Sequence, residues 1–184
     1  MKTRFAALAG ALLLTTPPVE AGTLSGVTMS EIATVGGTTL QLNGMGLREL
    51  VFVDVYVGGL YLPTRTRSAR EAIEADVPKR IVMHFIFRKV SREKMIATFQ
   101  EGLERNPAGA ALNERMQRLF SVVETSHSGD RIVLDYVPGE GLSFIKNGQT
   151  RITIEGADFM RAIWSIYLGE EPASEDLKRG MLGG

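Results

Sequence analysis

The sequence predicts an α+β fold built on an antiparallel sheet, and three observations over its 184 residues carry that prediction. β-prone runs come first, two helical stretches interrupt them, and further short strands and helices follow, an order that separates strands from helices instead of alternating them. The connections are of hairpin type, and Asn147-Gly148 between two short runs is the strongest hairpin signal in the chain. Apolar residues alternate over Arg80 to Arg88, then recur at helical spacing from Met95 to Leu103.

The first residues stand apart. Met1-Lys2-Thr3-Arg4 is a short basic segment, and Phe5 to Leu14 is an apolar run too short to span a bilayer. Val19-Glu20-Ala21 then places small residues at cleavage positions. This is the pattern of a secretory signal over residues 1–21, leaving one domain over 22–184 that is periplasmic or secreted. The chain has no cysteine, so a disulfide framework is excluded and the domain rests on its own core. Acidic and basic residues number 21 each and are interspersed, which argues against nucleic acid as a partner. No second long apolar run is present, so no membrane span is expected after processing.

Gly22 to Gly37 reads as a strand with Val27, Met29 and Ile32 as its apolar content and Gly36-Gly37 as the turn; Thr38 to Asn43 reads as a short second one. Val51 to Val57 is β-prone almost throughout, with a Gly58-Gly59 break that suggests a bulge or a close backbone approach. Ser68 caps a short helix with Ala72 and Ile73 as its apolar face. The alternating run from Arg80 to Arg88 is apolar on both sides and reads as a central, covered strand. Ser91 starts a helix stopped at Asn106-Pro107, and Leu112, Met116, Leu119, Phe120 and Val123 form the stripe of a second, the two making an αα-hairpin. Strands are expected at Arg131–Val137, Leu142–Lys146 and Gln149–Glu155. Asp158 to Leu168 is a helix with little polar face, ended by Gly169 at C′, and Ser174 with Glu175 and Asp176 opens the last.

Few residues offer chemistry. With no cysteine, no Gly-x-Ser-x-Gly and only His84 and His127, nucleophilic hydrolysis and a histidine metal site are both excluded. His127 reads as a solvated turn residue and His84 as a hydrogen-bonded core histidine. Gly44-Met45-Gly46 lacks the third glycine and the helix of a phosphate-binding loop, so its glycines serve a turn or close packing. Arg48 is the anomaly, a guanidinium at the mouth of an apolar run. With the phenols of Tyr56 and Tyr61 it makes an anchor for a carboxylate or phenolate; otherwise it pairs with Glu49, Asp54 or another carboxylate at the sheet edge.

Asn43-Gly44-Met45-Gly46-Leu47-Arg48 followed by Val55-Tyr56-Val57-Gly58-Gly59-Leu60-Tyr61-Leu62 resembles the N-terminal core of the chalcone isomerase-like family. Trp164-Ser165-Ile166-Tyr167-Leu168-Gly169-Glu170-Glu171-Pro172-Ala173-Ser174 is similar to that family's C-terminal signature, with the Phe85 to Phe99 segment between. The likeness is greatest to an exported bacterial branch. It implies an open-faced β-sandwich, a large antiparallel sheet under a helical layer with a ligand cleft between them. Some members of the family cyclise chalcones with an arginine and a threonine, tyrosine and asparagine set; others bind fatty acids with the arginine and a tyrosine.

Arg48 falls on the family arginine, and Tyr56 falls where the isomerases carry threonine and the fatty-acid binders tyrosine. The isomerase tyrosine falls at Val90 or Ser91 and a further threonine at or near Ile166, so two polar positions of the enzyme are missing. An uninterrupted strand would hold Arg48 and Tyr56 roughly 27 Å apart at about 3.4 Å per residue. They share a ligand only if the chain doubles back around Val51 to Val53, where no Gly, Pro or Asn marks a turn.

The expectation is an exported, non-catalytic binder of a small amphipathic carboxylate such as a fatty acid, with Arg48 and Tyr56 as the ligand-binding residues and no cofactor or metal. The alternatives are an intramolecular lyase of the chalcone isomerase type acting on a phenolic substrate, and a partner-binding scaffold with a vestigial cleft.

Overall fold

A computed structural model describes residues 21–105 and 112–184. Of the signal pattern over residues 1–21, all but Ala21 lies outside the described residues, as does the Asn106-Pro107 stop with the loop after it.

The chain opens on a small hairpin, β1 (Ala21–Leu24) and β2 (Val27–Ser30), turned at Ser25-Gly26. β3 (Ile32–Val35) turns at Gly36-Gly37 into β4 (Thr38–Leu50), which doubles back into β5 (Val53–Leu62). After α1 (Ala69–Glu74) come β6 (Lys79–Phe85), the two-residue β7 (Lys89–Val90) and α2 (Arg92–Arg105). α3 (Asn113–Val122), the short β8 (Ser126–His127), β9 (Arg131–Val137), β10 (Gly141–Lys146) and β11 (Gln149–Ile154) lead to α4 (Ala157–Leu168) and α5 (Glu175–Met181). Seven strands form one antiparallel sheet in the order β11-β10-β9-β6-β5-β4-β3. The α+β open-faced arrangement is the one expected.

Several boundaries differ from the sequence reading. The strand expected over 22–37 is three strands, because positive φ at Ser25 and Gly26 reverses the chain between the first two and a bend at Glu31 separates the second from the third; the Gly36-Gly37 turn falls where it was expected. Ile32, expected inside, is 47% exposed. The Gly58-Gly59 break does not exist; β5 runs through it, and both residues are buried. The central strand stops at Phe85, where Ile86 and Phe87 instead donate to the Val55 carbonyl. Gly169 ends α4 with extended backbone (φ −65°, ψ −173°), not in the left-handed region of a C′ glycine. α2 packs chiefly on α4 and α3 on β11, so the two are not a self-contained hairpin, although Arg92 ties them by donating to the Phe120 and Val123 carbonyls.

The helices cover one face. Leu60, Ile81, Leu134 and Phe144 lie there beneath Phe159, Ile163 and Trp164, all fully buried. The second face carries a smaller core in which Val27 and Met29 of the first hairpin cover Leu42, Val57 and Tyr61. His84 lies on that face, half-exposed with the Arg131 charge nearby, and is not the hydrogen-bonded core residue expected.

Two features of β4 decide what reaches the helical face. One is a bulge at Asn43: Leu42 pairs with Tyr61 and Gly44 already with Leu60. Leu40 and Leu42 therefore face the small core, whereas Gly44, Gly46 and Arg48 face the helices. Asn43 is pinned there by bonds to the Thr66 backbone on both sides of its amide and by donation to the Met181 carbonyl at 2.8 Å. The other is a backbone-on-backbone seam with α5. A Cβ on Gly44 would lie 2.2 Å from the Gly180 carbonyl oxygen, and one on Gly46 would lie 2.3 Å from that of Leu177. The glycine motif is thus a close-packing device.

Lys79 closes α1 from below. Fully buried, it donates to the carbonyls of Ala72, Ile73 and Ala75, and its ammonium sits 5.3 Å from the Trp164 ring centroid.

Candidate functional site

The β4–β5 hairpin places Arg48 directly opposite Tyr56 in register. The chain reverses in two residues, Val51 (φ 48°) and Phe52 (φ 64°), both left-handed, as a type I′ turn requires. Residues eight apart in sequence thus become cross-strand neighbours, whose Cβ atoms stand about 5 Å apart in such pairs. The missing Gly, Pro or Asn did not prevent the turn. Its one trace in the sequence is the mirrored placing of Glu49 and Asp54 about Leu50-Val51-Phe52-Val53, and these two exposed residues are register partners across the hairpin.

Arg48, Tyr56 and their neighbours line a cavity of about 440 Å³ between sheet and helices. Its floor is Val55, Tyr56, Met83, Phe85 and Ile132; α2 roofs it with Met95, Thr98 and Phe99, and α4 supplies Ile166 and Tyr167. The volume lies within the 300–1,000 Å³ usual for small-molecule sites. The inner wall is almost wholly apolar. A second recess of about 260 Å³ adjoins it, sharing Arg48, Leu50 and Thr98 and adding Glu101 and Arg105.

Arg48 is half-buried and donates to the carbonyl of Ala173, in the segment between α4 and α5. Among the described residues it forms no ion pair; Glu49 and Asp54, the carboxylates that would have paired with it, are exposed. Its charge therefore faces a neutral oxygen, the apolar cavity and the smaller recess, where Glu101 is paired with Arg105 at 3.9 Å. The Tyr56 phenol is pushed up to about 12 by burial, against the pull of the Arg48 charge, and its ring lies 5.4 Å from that of Phe85. At neutral pH it is a phenol, a donor, and among the described residues its hydroxyl has no hydrogen-bond partner.

Tyr167 was not singled out in the sequence, where it reads as one more apolar position of a buried helix. It is fully enclosed, and burial, with the neighbouring Tyr56 phenol acting the same way, raises its phenol well above the ordinary value against the pull of the Arg48 charge. Among the described residues its hydroxyl reaches only the thioether of Met83, at 3.4 Å, a weak acceptor. The site thus holds one guanidinium and two protonated phenols. Tyr61 is not part of it: it points to the other face and donates to the Ser30 carbonyl. Of the positions onto which the resemblance carries the isomerase's polar groups, Val90 or Ser91 and one at or near Ile166, Val90 and Ile166 line the cavity and the Ser91 hydroxyl caps α2 by accepting from the Lys94 backbone N–H. Among the described residues no three acidic or histidine side chains converge on a point.

A family model described as chalcone isomerase-like matches residues 21–183. No curated protein matches the chain. Among solved structures, the Arabidopsis thaliana fatty-acid binding protein AtFAP1 is similar in fold, with a TM-score of 0.71 over 89% of this chain and 96% of that one, at 20% identity.

Proposed function

The chain belongs to the chalcone isomerase-like family, and from that premise we propose that it binds a small amphipathic carboxylate, such as a fatty acid, and does not convert it. One observation carries the reading: a guanidinium without a carboxylate partner among the described residues stands at an apolar cavity beside two phenols. A carboxylate accepts from all three, and the apolar walls take the tail. The fatty-acid binding for which the plant protein of similar fold is named points the same way. A lyase would need further donors positioned on the reacting atoms, and Val90 and Ile166 supply none. The N-terminal pattern of residues 1–21 supports export, in the manner of a bacterial branch of the family, with the mature chain starting at Gly22.

Titration with a fluorescent fatty acid tests this. Arg48→Ala should weaken binding roughly ten- to a hundred-fold, a charge-assisted bond being worth about 1.5–3 kcal/mol. Arg48→Lys should recover part of the loss, since a point charge cannot reproduce the planar fork. Stability should fall by only about 1.5 kcal/mol in Arg48→Ala, the low end for a charge-assisted bond at a half-exposed site, because one such bond to a carbonyl is lost and no carboxylate is stranded. Unchanged affinity in Arg48→Ala would end the reading.

A further inference from the structure

The hairpin that brings Arg48 to Tyr56 ends in four consecutive apolar residues, Leu50-Val51-Phe52-Val53. Val51 is 80% exposed and Phe52 94%, and Leu50, Val53 and Phe87 are each exposed beside them. Of the six large hydrophobic residues exposed among those described, five are gathered here and only Ile32 lies elsewhere. A hydrogen bond from the Phe87 backbone N–H to the Val55 carbonyl, 3.1 Å, fixes the β6–β7 connection against the hairpin. Leu50, Val51, Val53 and Phe87 also line the mouth of the cavity.

The tip is poorly chosen for folding alone. A β-branched residue at φ 48° is an outlier, and the other two-residue turns of this kind among the described residues are made with Ser25-Gly26, Gly36-Gly37 and Asn147-Gly148, each with glycine second. Apolar side chains held in strained backbone at full exposure point to contact with something apolar. The charges nearby say what. Lys89 and Lys94 stand on the same rim and Arg88 adjoins them, while Glu49 and Asp54 sit one residue behind the apolar four. In a two-fold pairing of tips each cationic cluster would approach its own copy; against phosphate headgroups it is complemented.

We propose that this tip docks the protein on a lipid bilayer surface. Leu50 to Val53 and Phe87 enter the acyl region, Lys89 and Lys94 meet headgroup phosphates, and the cavity mouth opens onto the membrane so that an amphiphile passes between the two. The passage rests on the reading of the cavity given above; the docking stands without it.

Sedimentation with vesicles of mixed phosphatidylethanolamine and phosphatidylglycerol tests the proposal. The wild-type domain should sediment with the vesicles. Val51→Asn combined with Phe52→Gly supplies an ordinary turn, so the variant should fold with an equal or higher melting temperature yet lose vesicle affinity by roughly tenfold or more, as expected for withdrawing two large side chains from hydrocarbon. Lys89→Glu with Lys94→Glu should weaken binding to these vesicles more than to neutral phosphatidylcholine ones. Arg48→Ala should keep vesicle binding while losing the fatty acid, so that docking and cavity can fail separately. A wild-type domain that stays in the supernatant, or a tip variant that sediments equally, overturns the proposal. So does a concentration-dependent dimer, without vesicle binding, that the tip variant abolishes.

Discussion

Gly46→Ala is a small substitution with a large expected effect. The added Cβ would lie 2.3 Å from the Leu177 carbonyl oxygen, 2.8 Å from its Cα and 2.9 Å from its carbonyl carbon. All three are backbone atoms of α5, so no rotamer change relieves the contact. Restoring an ordinary separation of about 3.5 Å requires the helix to withdraw by about 1.2 Å. Leu177 and Met181, both fully buried, would move with it, and the bond from Asn43 to the Met181 carbonyl would stretch. Overpacking commonly costs about 1–3 kcal/mol, and with only backbone to yield the upper end applies. At roughly 2–4 °C per kcal/mol for a chain of this size, the melting temperature should fall by about 6–12 °C. The comparison is Gly22→Ala, where the nearest atoms are the Met45 sulfur at 2.8 Å and the Leu42 Cδ2, both ends of side chains that can swing aside. Circular dichroism melts of the two variants check this. If Gly46→Ala melts with Gly22→Ala, close to wild type, the seam is not the tight backbone contact described. Because α5 begins just after Ala173, the carbonyl that holds Arg48, a displaced helix should also weaken fatty-acid binding.

Two further outcomes are expected. The Tyr56 phenol rises from 10 unfolded to about 12 folded, so its contribution is complete below pH 10 and is lost as pH climbs toward 12. Urea melts should show wild type losing about 1.4 kcal/mol relative to Tyr56→Phe between pH 9 and 11, and parallel pH profiles would refute the burial argument. Purified protein should not accelerate cyclisation of a chalcone; stereoselective flavanone formation that disappears in Arg48→Ala would reverse the functional reading.

Much of the fold was legible because local chemistry and tertiary packing agree. Ser68 and Ser174 cap the helices assigned to them, Asn147-Gly148 makes its turn, and the α4 stripe is buried throughout. Legibility failed where packing or exposure overrode propensity. A Val-Phe pair turns the chain at the hairpin tip although neither residue favours positive φ, and a β-prone composition hid the reversal. Gly58-Gly59 sits inside an unbroken strand, because Leu177 and Met181 crowd one of these glycines and Met29 the other. Arg48 stood out as a cation in an apolar context. Tyr167 could not, since a phenol enclosed in a helix stripe looks like core until its hydroxyl is seen to lack a strong acceptor.

The bulge at Asn43 imposes a parity rule on this part of the chain. Side chains alternate with a period of two along a strand, so what matters between Asn43 and Arg48 is whether a length change is even or odd. An even change keeps the guanidinium toward the helices, at the cost of register. An odd one sends it to the far side of the sheet, leaves the cavity without a cation, and turns Met45 and Leu47 onto α5 in place of the glycines. Changes before Thr38 can be taken up by the Gly36-Gly37 turn without such inversion. Losing Asn43 itself is the exception: it is the extra residue of the bulge, so Leu42 and Gly44 would pair with Tyr61 and Leu60 in regular alternation and Arg48 would keep its side, at the cost of the bonds to Thr66 and Met181.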